Sequence, residues 1–367
     1  MPNVTILMKP VSGACNMRCE YCFYADVAQN RAQASFGRMN LQTLENAIRR
    51  TMQYANGAVT FAFQGGEPTL AGIEFYRHVV ELQKQYNTRE VRICNAIQTN
   101  GYQLDDALLE LFAREHFLVG ISLDGLPALH NRLRKDRSGQ GTSQAVERNL
   151  RRLLDAGVAC NILCVVNQYV AEQPQAVFHY LSRFSYVQFI PCLDPLDGAS
   201  AEYSLKPESY ATFLMETFDL YEQAFLHGRS VSVRNFDNYL RILDGRQPEN
   251  CAMSGRCAQY YVIEADGGVY PCDFYVLDRW HIGNINQDSF FKLQKSPVAE
   301  QFRNQSLQVA AACKSCQWLP LCRGGCRRDR EPFVNGLPTL NRWCHSYQAF
   351  FSYAYPRMAK MADRLFL

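Results

Sequence analysis

The sequence predicts an α/β fold in which six successive β–α units build a parallel sheet covered by helices. Three observations carry this. Strand-like and helix-like segments alternate strictly through the first 230 residues, a pattern that implies a parallel sheet. Each strand-like segment ends in a polar or glycine-containing stretch. Eleven of the 15 cysteines fall in clusters, three near the start and eight between Cys251 and Cys344.

The elements follow in order. "NVTILMK" (3–9) reads as a strand, and "LQTLENAIRRTMQYA" (41–55) has helical periodicity. "AVTFAFQ" (58–64) is β-branched and aromatic, so a strand, followed by a helix over 73–86. A strand over 91–99, a helix over 105–115 and a strand over 117–123 come next. The helix over 142–157 opens at a capping Thr142 and stops at Gly157. A strand over 158–166, a helix over 174–184, a strand over 186–191 and a long helix over 207–228, closed by Gly228, complete six units.

Six units are fewer than the eight of a closed barrel, but in such barrels chemistry sits at the C-terminal ends of the strands. Those ends carry the cysteine loop, Gln64-Gly65-Gly66-Glu67-Pro68, Gln98-Thr99-Asn100-Gly101, Ser122-Leu123-Asp124-Gly125, Asn167 and Pro191-Cys192-Leu193. Taken singly, each also suits an ordinary turn.

With 47% hydrophobic and 20% charged residues, 367 residues make a globular chain of one large or two smaller domains. A net charge of +3 is too mild to argue for nucleic acid or an anionic membrane surface. No apolar run approaches a membrane span, and Val4 to Met8 is too short for a signal peptide's core. The expected location is cytoplasmic. In a reducing cytosol clustered cysteines read as metal or redox ligands rather than disulfides.

"GACNMRCEYCFY" (13–24) spaces Cys15, Cys19 and Cys22 as C-x3-C-x2-C. Structural zinc takes four protein ligands and disulfides take pairs. Three thiolates suit a 4Fe–4S cluster that leaves one iron open to chelate a small molecule. A zinc knuckle is the alternative. With Tyr21 before the last cysteine and Phe23 after it, and with "QGGEPTL" at 64–70, the chain resembles the radical S-adenosylmethionine superfamily. The resemblance covers roughly residues 5–230. It implies a partial (β/α)6 barrel, TIM-like, and an open iron that holds the methionyl end of S-adenosylmethionine. It also implies that Gly65, Gly66 and Glu67 meet the methionine amine. Ser122 and Arg134 would hold the ribose and carboxylate end, Leu193 backbone would touch adenine, and Tyr21 would lie beside the nucleoside.

The second cysteine field reads C-x5-C-x14-C from Cys251 through Cys257 to Cys272. It continues as C-x2-C-x5-C-x3-C-x17-C through Cys313, Cys316, Cys322, Cys326 and Cys344. By count, two four-cysteine zinc sites fit as well as two clusters. The pattern, with Gly267 between Cys257 and Cys272, resembles the SPASM extension, which implies two auxiliary 4Fe–4S clusters and three in all. By that resemblance Cys251, Cys257, Cys272 and Cys326 hold one, and Cys313, Cys316, Cys322 and Cys344 the other. The expected domains are 1–230, 231–345 and a C-terminal helix over 346–367. A β-hairpin turning at Asp266-Gly267-Gly268 is expected to deliver Cys272 and Asp273.

Within the SPASM group the chain most resembles anaerobic sulfatase-maturating enzymes, through "CNMRCEYCFY", "FQGGEPTL", "IQTNG", "SLDG", "FIPCLDP" and "YPCDFYV". The resemblance implies oxidation of a cysteine or serine, within a C/S-x-P/A-x-R motif of an unfolded sulfatase polypeptide, to Cα-formylglycine. It also implies an electron donor such as flavodoxin or ferredoxin. Asp273 is read as the base, because it follows Cys272 directly; a turn-capping Asp is the alternative. Tyr24 and Gln64 are read as peptide contacts. Cys160, Cys164 and Cys192 are read as small core residues. One rival is a crosslinking enzyme of ribosomal peptides, disfavoured because Cys15 comes too early for a leader-binding domain. The other is a zinc-stabilised binding module.

Overall fold

The computed structural model describes residues 3–257 and 260–366. Six parallel strands form the heart of one sheet: β1 (Val4–Met8), β2 (Ala58–Phe63), β3 (Arg92–Thr99), β4 (Leu118–Ser122), β5 (Cys160–Val166) and β6 (Tyr186–Pro191). They lie side by side in sequence order, with Ile6 opposite Phe61, Phe61 opposite Asn95, Gln98 opposite Gly120 and Leu163 opposite Gln188. The expected strands are all present, trimmed by a residue or two at most ends.

Helices α1 (Leu41–Tyr54), α2 (Ile73–Tyr86), α3 (Asp106–Arg114), α4 (Ser143–Asp155), α5 (Pro174–Leu181) and α6 (Pro207–Leu226) follow the strands. In α1, Leu44, Ala47, Ile48 and Met52 recur at helical spacing and are buried against the sheet, where Val59, Phe61 and Phe63 alternate inward. Asn40 and Asp105 cap α1 and α3 by accepting from Thr43 N and Leu108 N. Thr142 does not cap α4, contrary to the reading above. Its backbone is helical, and its hydroxyl is drawn away to the Arg134 carbonyl and His130. Helix α5 ends at Leu181, and a 3-10 turn continues to Phe184.

Past residue 230 the chain extends this sheet at both edges. β7 (Ser232–Val233) pairs with β6 and leads into α7 (Arg234–Leu243). The expected hairpin, β8 (Tyr261–Ile263) and β9 (Gly268–Tyr270), places β8 parallel to β1, and β10 (Gly283–Asn284) closes the other edge. The two expected domains thus share one ten-stranded sheet. Gly267 makes the turn at φ +90; a Cβ there would sit 2.5 Å from Asn286 Nδ2. The C-terminal helix α8 (Cys344–Phe366) packs on α6 and α7, starting two residues earlier than expected. Among the described residues no helix is long and apolar enough to cross a membrane.

Candidate active site

All six barrel strands end on one rim, and the first loop there is the cysteine loop. Its Met17–Cys19 segment pairs antiparallel with Arg134–Asp136, forming a short ribbon. Cys15 Sγ lies 3.4 Å from Met17 N and 3.6 Å from Asn100 Nδ2, and Arg134 Nη1 approaches Cys19 Sγ at 3.8 Å. Cys22 stands at the N-terminus of the short helix Phe23–Gln29. Burial pushes the Cys15 thiol up and the Cys19 thiol up to about 12. Thiols this hard to ionise become thiolates beside a strongly positive centre such as bound iron.

The glycine loop after β2 lies directly on the cysteine loop. Gly66, at φ +52, brings its backbone so near that a Cβ would fall 2.2 Å from the Ala14 carbonyl oxygen. Gly65, at φ +85, covers the Lys9 side chain in the same way, with a Cβ position 2.5 Å from Lys9 Cε. Glu67 is fully buried. Its Oε1 accepts from Thr69 N, Thr69 Oγ1 and Thr99 Oγ1 at 2.7–3.0 Å, and its Oε2 from Asn100 N at 2.7 Å. Glu67 therefore clasps the ends of β2 and β3 together. Burial raises its pKa, and these donors oppose the rise.

Asp124, just beyond β4, is a node that the sequence showed only as part of a strand-end turn. Its Oδ2 accepts from the Tyr21 hydroxyl and, at 2.8 Å, from Arg134 Nε; its Oδ1 accepts from Val165 N at 2.9 Å. Arg134 also lies 5.3 Å from the Tyr21 ring centre. Both members of the Arg134–Asp124 pair are buried. Ser122 accepts from Gln98 Nε2 at 3.2 Å, and Gln98 fits there because Gly120 opposite has no Cβ. Leu193, half-buried, follows β6, and its carbonyl accepts the buried Cys192 thiol. Cys160 and Cys164 are buried on one face of β5, as core residues.

The eight later cysteines separate into two groups. Cys313, Cys316, Cys322 and Cys344 line one cavity with Trp318, Tyr347 and Phe351. Cys272 and Cys326 feel the charges of Cys251 and Cys257. Cys322 and Cys344 feel Cys313 and Cys316 in turn.

Asp273 begins a 3-10 turn directly after Cys272. Its Oδ2 accepts from the Tyr24 hydroxyl at 3.3 Å, and Cys272 Sγ lies 3.5 Å from Oδ1. Burial raises the Asp273 pKa, making it a better proton acceptor than an ordinary carboxylate. Phe23 meets Phe274 edge-on at 4.8 Å, holding the cysteine loop against this turn. Below Tyr24 lies a buried triad the sequence reading missed. Lys9 and Arg31 both reach Glu264 Oε2, at 2.7 and 2.8 Å, and Lys9 Nζ lies 5.5 Å from the Tyr24 ring centre. Burial works against the Glu264 charge, but the two cations outweigh it and hold its pKa below the usual carboxylate range. Gln64 is half-buried at the end of β2, where its N–H donates to the Met8 carbonyl.

Comparison with known proteins agrees with this arrangement. Residues 10–181 match the radical SAM superfamily, and residues 251–317 match an iron–sulfur cluster-binding domain. A cysteine-type anaerobic sulfatase-maturating enzyme of Clostridium novyi (strain NT) is 44% identical, over 100% of this chain and 99% of its own length. A serine-type anaerobic sulfatase-maturating enzyme of Bacteroides thetaiotaomicron is 31% identical, over 98% of this chain and 91% of its own. The solved structure of native anSMEcpe with bound AdoMet and Cp18Cys peptide superposes with a TM-score of 0.94 at 42% identity, covering 99% of this chain and 100% of that one. A cysteine loop braced by glycine-loop and ribbon contacts, with a SPASM extension built onto the same sheet, places this chain in the radical SAM family of anaerobic sulfatase-maturating enzymes.

Proposed function

We propose that this enzyme oxidises a cysteine side chain, within a C-x-P-x-R segment of an unfolded sulfatase polypeptide, to Cα-formylglycine. The observation that carries this is the position of Asp273: half-buried, bonded to Tyr24 of the cysteine loop, and adjacent to Cys272 of one later cysteine group. The oxidation requires loss of a hydrogen atom from Cβ, a proton from sulfur and one further electron, which leaves a thioaldehyde; water then replaces the sulfur, releasing hydrogen sulfide and giving the aldehyde.

The residues present fit the groups this chemistry needs: Cys15, Cys19 and Cys22 for a site-opened 4Fe–4S cluster, and the two four-cysteine groups for closed auxiliary clusters, three in all. When bound, the first cluster with S-adenosylmethionine supplies a 5′-deoxyadenosyl radical for the hydrogen atom, and the auxiliary clusters supply an electron acceptor. Asp273 takes the thiol proton, and the Tyr24 hydroxyl, kept protonated by burial and by the Asp273 charge, orients the carboxylate. Tyr24 and Gln64 face the peptide. Arg134, Ser122, Tyr21 and the backbone at Leu193 hold the nucleoside and carboxylate of S-adenosylmethionine. Because both Glu67 oxygens are engaged within the protein, the methionine amine is met by the loop's backbone carbonyls, in a shape that Glu67 maintains.

Cysteine is favoured over serine by the 44% identity to a cysteine-type relative against 31% to a serine-type one. Anaerobic incubation of the reconstituted enzyme with S-adenosylmethionine, dithionite and matched C-x-P-x-R and S-x-P-x-R peptides tests both points by mass spectrometry. Aldehyde formed faster from the cysteine peptide supports the reading. Deoxyadenosine with no aldehyde from either peptide would overturn it.

A further inference from the structure

Arg327, the residue directly after Cys326, is a buried cation that the fold leaves incompletely partnered. It opens the 3-10 turn Arg327–Arg330, which Cys326 caps by accepting from Arg328 N at Sγ, 3.4 Å away. Arg327 is only 3% exposed. Four rings surround its guanidinium, with centres at 4.0 Å for Phe333, 4.7 Å for Phe302, 5.1 Å for Trp280 and 5.4 Å for Tyr275. Rings attract the cation through their faces, but they do not satisfy its in-plane N–H donors. Nη2 donates to Gln305 Oε1 at 2.8 Å, whereas Nε and Nη1 are buried with no acceptor among the described residues. The two acids on the same segment are turned to other donors: Asp329 Oδ1 accepts from Trp343 Nε1 at 3.2 Å, and Glu331 Oε1 from the Tyr275 hydroxyl at 2.7 Å. Arg330, buried on the same turn, instead donates to the Gln308, Ser306 and Cys326 carbonyls. A buried cation with free donors is costly unless an anion meets it.

The surroundings of Arg327 point to that anion. Gln305, which holds Nη2, is followed by Ser306, whose hydroxyl accepts from Cys257 N at 2.9 Å. One short segment thus ties Arg327 to Cys257, while the chain itself ties it to Cys326. Burial pushes the Cys257 thiol up, and the Arg327 cation is among the groups that oppose the rise. We propose that Arg327 raises the reduction potential of the auxiliary centre held by Cys251, Cys257, Cys272 and Cys326, by giving its free N–H donors and its charge to the sulfurs there. The proposal rests on reading those four cysteines as cluster ligands. A 4Fe–4S centre bound by four thiolates is an anion, and its potential responds to net charge and to hydrogen bonds at sulfur. Reduction brings in one electron and no proton, so a fixed cation favours the reduced form. In the oxidation proposed above, the electron left after loss of the hydrogen atom and the proton goes to an auxiliary centre, and a higher potential makes this one the readier acceptor. Arginine keeps its charge at every working pH, so the effect is independent of pH.

The test is an anaerobic redox titration of the reconstituted enzyme, followed by electron paramagnetic resonance at the signal that Cys257→Ala removes. In R327Q the ratio of reduced to oxidised centre at the wild-type midpoint is expected to fall by about tenfold, which is about 59 mV toward lower potential for a one-electron couple. R327K keeps the charge but not the planar fork, and its ratio is expected to fall by about threefold. The centre held by Cys15, Cys19 and Cys22 should keep its wild-type midpoint in both variants. R327K alone decides where R327Q does not take up its full iron. An unchanged midpoint in the variants that hold full iron, or an equal shift of every centre, would overturn the role of Arg327. A Cys257→Ala enzyme that keeps every iron–sulfur signal would instead overturn the ligand assignment on which the proposal rests.

Discussion

The Tyr24 hydroxyl lies 3.3 Å from Asp273 Oδ2, across 249 residues of chain. The contact exists because β8 pairs with β1, Ile6 opposite Tyr261, which brings the exit of the hairpin over the cysteine loop. Lys9 N closes the same junction by donating to the Ile263 carbonyl at 2.9 Å.

If Asp273 is the base, Asp273→Asn should separate the two halves of the chemistry. Aldehyde formation is expected to fall by about 100-fold or more, the range for loss of a positioned proton acceptor, while deoxyadenosine still forms. Tyr24→Phe, which removes only the orienting bond, should cost about tenfold. Product and deoxyadenosine counted in the same reaction check both.

Gly66→Ala puts a methyl group against the Ala14 carbonyl at a backbone angle that side chains resist, a strain of roughly 1–3 kcal/mol before the clash is counted. The cysteine loop must then shift. With the three clusters proposed above, the reconstituted variant is expected to lose about a third of its iron. Iron analysis beside S-adenosylmethionine cleavage measures this; full iron content with normal cleavage would contradict it.

The two later cysteine groups should fail independently. Cys344→Ala is expected to remove one auxiliary signal in low-temperature electron paramagnetic resonance of the reduced enzyme, and Cys257→Ala the other. Each variant should keep the signal its partner loses.

Burial, with the Arg134 cation adding to it, holds His130 down at about 4. The folded ring stays neutral in the pH range where the unfolded chain, near 6.5, takes up a proton. The unfolded state therefore binds more protons between these values, and stability falls as pH drops from 6.5 toward 4. The loss attributable to this ring is on the order of 3 kcal/mol. Anaerobic melting of wild type and His130→Gln across that range should show a gap that narrows on acidification.

The six strands and the cysteine loop were legible because their signals are local: β-branched runs, helical periodicity and fixed spacing within a few residues. The hairpin was legible from Asp266-Gly267-Gly268. The Lys9–Arg31–Glu264 triad was not, because a lysine after a strand and a glutamate after another look like surface charges until β1 and β8 pair. Asp124 was hidden for the same reason: Tyr21, Arg134 and Val165 reach it from three separate loops and strands. Thr142 satisfied the capping pattern, but a tertiary partner, the Arg134 carbonyl, took its hydroxyl. The motif shows Glu67 in the glycine loop, while the direction of its carboxylate depends on Thr99 and Asn100 from the end of the next strand.

The most direct measurement uses a C-x-P-x-R peptide whose target cysteine is dideuterated at Cβ, turned over once without oxygen. Mass spectrometry should find one deuterium in 5′-deoxyadenosine and one retained on the aldehyde carbon. Unlabelled deoxyadenosine, or a crosslinked peptide that keeps both deuterons, would contradict hydrogen abstraction from Cβ and with it the proposed reaction.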